Sequence, residues 1–243
     1  MTARIKLSDA VLVTGAGRRV GLHLAQRMLG QGRRVIAHYR TWTDGVAEIQ
    51  SRGALCVTGD LATREGVEQL AASVWNAASS LRAVIHNASS FAPTPASRSD
   101  ALDQLDLFYA VHMRAPFALN HALADLLSAC SEQRADIVHI TDIYADNPNP
   151  MFDAYCATKA GLQNLTLSFA KRLAPKVKVN AIQPGPILFK DWHGADARER
   201  VLKRTLLGEE GGVEVIGLAV DAILANSYQT GAVIAVDGGR RLA

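Results

Sequence analysis

The 243-residue sequence has only three cysteines and contains no long apolar run. Cys56, Cys130 and Cys156 form no CxxC pair, and an odd count argues against a disulfide framework. A chain of this kind suits a reducing compartment, so we expect a cytoplasmic protein. Without a run of about 20 apolar residues we predict no membrane-spanning helix. The N-terminal residues also lack the apolar stretch that is typical of a secretory signal.

The sequence also lacks a large excess of positive or negative charge. The 26 Lys and Arg residues nearly balance the 23 Asp and Glu residues, which leaves a net charge of +3 and no basic run. We therefore predict a small-molecule ligand, with no nucleic-acid partner, no membrane partner and no metal site. The hydrophobic fraction of 49% and the length fit one large domain over residues 1–243.

Short apolar runs alternate with helical patterns along the whole chain. The apolar runs lack strict polar alternation, which is typical of strands buried on both faces. This order predicts an α/β fold with a doubly wound parallel sheet of the Rossmann type and helices on both faces. An irregular stretch starts at Pro184, and we predict a substrate lid over residues 184–205. The predicted strands are Ala10–Gly15, Arg34–Tyr39, Ala54–Asp60, Ala83–Ser89, Asp136–Asp142, Val177–Gly185 and Ala232–Gly239. The predicted helices are Val20–Gly30, Thr63–Ala78, Ser99–Ala129, Tyr155–Leu173 and Gly212–Ala225.

A glycine-rich loop, TGAGRRVGL, follows the first predicted strand. Gly15, Gly17 and Gly21 allow a tight turn and a close approach of the backbone to a phosphate. The spacing is G-x-G-x-x-x-G rather than the usual G-x-G-x-x-G, and such glycines can also form a simple turn. The place of the loop in the first strand–helix unit favours a nucleotide site.

The end of the second strand predicts which nucleotide binds. The segment from His38 to Thr41 lacks the acidic residue that would bind the ribose 2′-hydroxyl of NAD. Arg40 lies there instead, and Arg18 and Arg19 lie in the glycine loop. Guanidinium groups suit a 2′-phosphate, so we predict NADPH as the cofactor; the alternative is a solvated arginine cluster. Asp60 at the end of the third strand either binds the adenine amino group or caps a helix.

Three polar residues predict proton chemistry. Tyr155 and Lys159 are one helical turn apart, and Asp142 lies thirteen residues before the tyrosine. We expect the lysine cation to lower the pKa of the phenol and make it a better proton donor or acceptor. The alternative for the tyrosine–lysine pair is an exposed helix face, and the alternative for Asp142 is a loop cap.

Together these motifs resemble the short-chain dehydrogenase/reductase family over nearly the whole chain. The motifs are TGAGRRVG (14–21), GDL (59–61), HNAS (86–89), YCATK (155–159), QPG (183–185) and VDGG (236–239). The resemblance implies that Tyr155 is the catalytic acid/base and that Lys159 holds the nicotinamide ribose. It also implies a homo-oligomer, a tetramer. The implied cofactor contacts are Gly15, Gly17, Arg18, Arg19, Val20, Gly21, His38, Tyr39, Arg40, Thr41, Asp60, Leu61, Asn87, Ala88, Ser89, Tyr155, Lys159, Pro184, Gly185 and Ile187.

Two positions depart from the usual family pattern. Asp142 replaces a serine, and His112 replaces an asparagine of the proton-relay set. Both departures resemble the pteridine reductase branch, in which a phenylalanine at the position of Phe91 stacks on the pterin. The branch implies NADPH-dependent reduction of 7,8-dihydromonapterin, or a close dihydropterin, with weak reduction of dihydrofolate. The implied catalytic residues are Tyr155, Lys159 and Asp142, and the implied substrate contacts are Arg19, Ser89, Phe91, Asp142 and Tyr155.

Two other functions stay open on the sequence. One is a reductase of another carbonyl, such as a 3-oxoacyl thioester, against which Asp142 argues because a carboxylate repels a developing alkoxide. The other is an NADP-binding sensor without catalysis, against which Tyr155 and Lys159 argue. Phe91 could instead anchor its loop, His112 could be structural, and Phe189 and Trp192 are candidate lid aromatics.

Overall fold

Seven parallel strands form one sheet in the computed structural model, which describes residues 6–243. The strand order is β3-β2-β1-β4-β5-β6-β7, which confirms the predicted doubly wound parallel sheet. The strands are β1 (Ala10–Val13), β2 (Val35–Tyr39), β3 (Leu55–Thr58), β4 (Leu81–His86), β5 (Ala135–Ile140), β6 (Val177–Pro184) and β7 (Val233–Val236).

Helices cover both faces of this sheet. They are α1 (Arg19–Gly30), α2 (Asp44–Ser51), α3 (Arg64–Ala77), α4 (Arg98–Tyr109), α5 (Ala115–Ala122), α6 (Ala124–Ser128), α7 (Asp153–Leu173), α8 (Ala195–Lys203) and α9 (Glu214–Ala225). Within residues 6–243, none of the helices has the length and apolar character needed to cross a membrane.

The central strands supply side chains to two hydrophobic cores, one on each face of the sheet. On β1, Ala10 and Leu12 pack into one core, while Val11 and Val13 pack into the other, and all four are fully buried. Burial on both faces explains why the sequence of β1 shows no polar alternation.

The helix predicted over Ser99–Ala129 is present but irregular. A π-helical turn over Ala110–Arg114 joins α4 to α5 with helical backbone angles at both junctions, and Leu123 separates α5 from α6. Pro116 accounts for the first irregularity, because proline has no N–H with which to continue the helical hydrogen bonds. The sequence analysis also missed α2, and it missed α8, which lies inside the predicted lid.

A buried charge cluster lies at the amino ends of β4, β5 and β6. Asp136 is fully buried and pairs with Arg82 and with Lys178, whose ammonium lies 2.8 Å from the carboxylate. The same ammonium donates to the carbonyls of Ile223 and Asn226 at 2.7 Å each. The cluster therefore fastens the C-terminus of α9 to the sheet, at the edge opposite the loops that follow the strands.

Replacing Asp136 with asparagine should lower the free energy of unfolding by about 3–5 kcal/mol, because Lys178 would stay buried without its counter-charge and Arg82 would keep only the more exposed Glu132. Urea denaturation measures this change. The matched control is Glu132→Gln, since Glu132 also pairs with Arg82 but its side chain is 42% exposed. For the control we expect a loss below about 1 kcal/mol. Equal losses in the two variants would contradict this account of the cluster.

Candidate active site

The carboxyl ends of β1 and β4 are joined by hydrogen bonds behind the glycine loop. The side-chain amide of Asn87 donates to the carbonyls of Thr14 and Gly15 at 3.0 and 3.2 Å. The Thr14 hydroxyl accepts from the backbone N–H groups of Asn87 and Ala88. Gly15 has a φ of +67°, and a Cβ there would lie 2.9 Å from Ala88. This loop therefore needs glycine both for its backbone conformation and for space.

His38 supports the same loop from behind. Its Nδ1 accepts from the Gly15 N–H at 3.2 Å, so its proton is on Nε2, which contacts the Gly59 carbonyl at 3.0 Å. The ring is 2% exposed, and burial lowers the pKa of the imidazole. The sequence analysis proposed His38 as a cofactor contact, whereas the structure places its side chain behind the loop as a support.

The N-terminus of α1 differs from those of the next three helices. The side-chain hydroxyls of Thr43, Thr63 and Ser97 cap α2, α3 and α4 by accepting from backbone N–H groups of the first turn. Among the described residues, no side chain caps α1 and its first turn contains no acidic residue. Its backbone N–H groups are therefore free to bind an anion such as a pyrophosphate.

The predicted adenosine contacts lie at the ends of β2 and β3. Arg40 and Arg18 are exposed on this side of the molecule. Tyr39 makes an edge-to-face contact with Trp42, with ring centroids 5.5 Å apart. Asp60 accepts from the Ala62 N–H at 3.0 Å in the turn before α3 and is exposed, while Thr63 and not Asp60 caps that helix.

The hydroxyl of Tyr155 donates to a carboxylate oxygen of Asp142 at 2.8 Å. The other oxygen of Asp142 accepts from the backbone N–H of Tyr144 at 2.9 Å. Asp142 follows β5 and Tyr155 lies in the first turn of α7, so the fold brings these predicted site residues together. Lys159, one turn later, is buried and donates to the Ile140 carbonyl at 2.8 Å.

The expected effect of Lys159 on Tyr155 is wrong. The pKa of the phenol is raised well above its ordinary value, because burial and the Asp142 carboxylate both disfavour a second negative charge. Burial also raises the pKa of Asp142 and lowers that of Lys159 to about 8. The lysine ammonium bonds a carbonyl rather than the phenol oxygen. Tyr155 therefore holds its proton and donates it to Asp142.

Aromatic rings form one wall of the cleft above Tyr155. Phe91 stacks on Phe152 with centroids 4.6 Å apart, and its edge contact with Tyr155 is 4.8 Å. Trp192 from the predicted lid stacks on Phe91 at 6.0 Å. A flat apolar surface thus lies beside the polar pair of Tyr155 and Asp142, which is a suitable site for a flat ring with polar edges.

Two cations fasten the predicted lid across this cleft. The guanidinium of Arg19 donates to the carbonyls of Leu188 and Phe189, the latter at 3.2 Å. The ammonium of Lys190 donates to the Phe91 carbonyl at 2.8 Å and lies 5.0 Å from the centre of the Phe91 ring. Lys190 therefore links the lid to the loop that carries the aromatic wall. The cleft residues are Arg19, Val20, Phe91, Asp142, Ile143, Tyr144, Tyr155, Gly185, Pro186, Ile187, Leu188, Phe189, Lys190, His193, Val201 and Arg240.

Comparison with known proteins shows the family to which this chain belongs. A family profile described as short chain dehydrogenase matches residues 9–198. The chain belongs to the short-chain dehydrogenase family. It is 40% identical to a dihydromonapterin reductase of Citrobacter koseri over 236 residues, which is 96% of each chain. It is 38% identical to a dihydromonapterin reductase of Escherichia coli strain SMS-3-5 over 232 residues, again 96% of each chain.

Solved structures of short-chain dehydrogenases show the same fold. The chain matches FolM alternative dihydrofolate reductase 1 from Brucella canis, crystallised with NADP, with a TM-score of 0.87 and 30% identity. That match covers 97% of this chain and 94% of the Brucella chain. A short-chain dehydrogenase/reductase from Serratia marcescens has a TM-score of 0.86 over 96% and 98% of the two chains, at 24% identity, and shares the fold alone.

Sequence reasoning missed several residues that shape this short-chain dehydrogenase site. Thr43 donates to the Gly17 carbonyl at 2.7 Å and caps α2, and a threonine before an aspartate is a cap signal that could have revealed it. Lys190 had no such signal, because its partner Phe91 is 99 residues away in the chain.

Replacing Lys190 with methionine should release the lid from the Phe91 loop. We expect amide hydrogen exchange over residues 186–193 to become about tenfold faster, because one charge-assisted hydrogen bond is lost. Exchange measured by mass spectrometry tests this. The matched control is Lys203→Met on α8, where the lysine is exposed and pairs with Glu199. Unchanged exchange in Lys190→Met, or the same increase in both variants, would contradict the role of Lys190.

Proposed function

We propose that this short-chain dehydrogenase uses NADPH to reduce 7,8-dihydromonapterin, or a close dihydropterin, to the tetrahydropterin. The observation that carries the proposal is the hydrogen bond from Tyr155 to Asp142 beside the aromatic wall of Phe91. Relatives about 40% identical over nearly the whole chain are named dihydromonapterin reductases, which supports the same substrate class.

The residues present fit a bound dinucleotide. A Cβ at Gly21 would lie 2.1 Å from the Gly15 carbonyl oxygen, so only glycine lets the start of α1 pack this closely on the loop. The pyrophosphate would lie at the uncapped N-terminus of α1, and Arg18 and Arg40 would bind the 2′-phosphate. Lys159 would hold the nicotinamide ribose. When bound, NADPH supplies the hydride.

In this reaction the residues of the protein itself handle one proton. Reduction of a C=N bond places a hydride on carbon and a proton on nitrogen. Tyr155 keeps its proton because its pKa is raised, and Asp142 keeps both oxygens as acceptors. The pair therefore shares one proton that can pass to a ring nitrogen, and its oxygen lone pairs can accept from N–H groups at the polar rim of a pterin, whereas a serine would offer a single hydroxyl.

The two rival functions fit the site less well. A ketone or thioester carbonyl would develop negative charge next to the Asp142 carboxylate, which repels it. A sensor without catalysis would need no buried tyrosine and lysine beside a half-buried aspartate, since burying such groups costs stability.

The direct test is NADPH oxidation by the purified protein with dihydromonapterin, dihydrofolate or an acetoacetyl thioester. We expect dihydromonapterin to react fastest, dihydrofolate weakly, and the thioester at about the background rate. Tyr155→Phe should bind NADPH normally and lose about 100-fold or more in turnover, because the proton of the phenol is gone. Oxidation with the thioester alone would overturn the proposal and favour a ketoreductase.

The cofactor assignment predicts a selective effect of Arg40. Replacing Arg40 with alanine should raise the Kd of NADPH about 10- to 100-fold through the loss of a charged contact with the 2′-phosphate. The Kd of NADH should change less than about twofold. Fluorescence titration measures both constants, and Arg52→Ala, at the exposed residue that follows α2, is the matched control. An equal rise in the Kd of NADPH and of NADH would contradict a contact between Arg40 and the 2′-phosphate.

We also infer that the protein is a homotetramer in the cytoplasm, as the family resemblance implies. Apolar side chains along α4, α5 and α7 support an interface between copies, because they are large and exposed on a soluble fold. They are Leu102, Leu105, Tyr109, Phe117 and Leu167. Sedimentation velocity gives the assembly state directly.

A further inference from the structure

A buried histidine lies behind the site and has no part in the chemistry described above. His112 is 1% exposed and lies in the π-helical turn between α4 and α5. Its ring stacks on Phe108 with centroids 5.4 Å apart and meets the Tyr155 ring edge-on at 5.5 Å. Both ring nitrogens have hydrogen-bond partners, so the ring is held in a single orientation.

The partners determine which nitrogen carries the proton. The backbone N–H of Ser90 can only donate, and it lies 3.2 Å from Nε2 of His112. Nε2 is therefore an acceptor, and the proton of the neutral ring is on Nδ1. Nδ1 then donates to the Thr158 hydroxyl at 2.9 Å, and that hydroxyl donates to the Tyr155 carbonyl at 3.0 Å. In this series of hydrogen bonds, each group therefore has a single role as donor or acceptor toward its neighbour.

The same reasoning indicates where the Ser89 hydroxyl donates its proton. It lies 2.9 Å from Nε2 of His112, nearer than the Ser90 carbonyl at 3.4 Å, and since Nε2 has no proton, Ser89 donates to it. The Tyr155 oxygen is a further acceptor within reach of this proton, since a bond from Ser89 would lower the pKa of the phenol. With its proton directed at His112, Ser89 has only lone pairs left for the cleft.

We propose that His112 is a positioning residue that makes Ser89 a hydrogen-bond acceptor toward the substrate. This inference rests on the proposed function. A dihydropterin carries N–H donors along its rim, and an oriented acceptor selects such a rim over a carbonyl oxygen, which needs a donor. His112 thus selects the substrate class through Ser89 without touching the substrate.

The tautomer of His112 is the first test, and it requires no activity. In protein labelled with ¹⁵N at histidine, long-range ¹H–¹⁵N correlation spectra distinguish a protonated ring nitrogen from a bare one. We expect His112 to carry its proton on Nδ1 in the free protein and in the complex with NADPH. A proton on Nε2 would overturn the inference, since Ser89 would then have to accept from the ring.

A double-mutant cycle is the second test. His112→Leu should raise the KM for dihydromonapterin about tenfold and change the Kd of NADPH less than about twofold. In a Ser89→Ala background the same change should raise KM by less than about twofold, because the residue that His112 orients is already gone. His121→Leu on α5, where the histidine is exposed, is the matched control.

The His112→Gln variant distinguishes a role of His112 in orienting Ser89 from a role in packing alone. The amide oxygen of glutamine can accept from Ser89 and Ser90, so this variant should keep KM within about threefold of the wild type. Additive effects of His112→Leu and Ser89→Ala would overturn the inference, as would a KM for His112→Gln as high as that for His112→Leu. If the wild type reduced no dihydropterin, the proposed function would fail, while the tautomer would still decide the direction of the Ser89 hydroxyl.

Discussion

The hydrogen bond between Tyr155 and Asp142 is the interaction on which the rest of the site depends. Its 2.8 Å length joins the loop after β5 to the first turn of α7. The half-buried carboxylate keeps the phenol protonated, and the phenol in turn stabilises the carboxylate by donating to it. A donor and an acceptor are thus fixed side by side at the end of the sheet, where a doubly wound fold binds its ligands.

The surrounding structure keeps this pair in place from three directions. Below it, Lys159 bonds the Ile140 carbonyl at the end of β5. On one side, the aromatic wall of Phe91 is fastened to the predicted lid by Lys190. On the other side, His112 contacts the Ser89 hydroxyl and bonds the Thr158 hydroxyl, which donates to the Tyr155 carbonyl. Each support is a specific hydrogen bond to a buried or partly buried group, and such bonds are costly to leave unmade.

The sheet and the position of Asp142, Tyr155 and Lys159 at its carboxyl end could be predicted because local signals determine them. Unbroken apolar strands and the turn between Tyr155 and Lys159 need no knowledge of distant contacts. The raised pKa of Tyr155 could not be predicted in the same way, because it depends on burial and on which neighbour bonds the phenol oxygen. His38 is a second example. It was predicted as a cofactor contact, but its ring accepts from the Gly15 N–H and so supports the glycine loop.

Asp142→Ser is the most direct measurement of the central claim, because it restores the usual serine and removes only the carboxylate. The account predicts that kcat/KM for dihydromonapterin falls about 100-fold or more, while the Kd of NADPH changes less than about twofold. It also predicts that activity toward an acetoacetyl thioester rises relative to the dihydropterin. An unchanged kcat/KM for dihydromonapterin in this variant would contradict the claim that the Tyr155–Asp142 pair specialises the site.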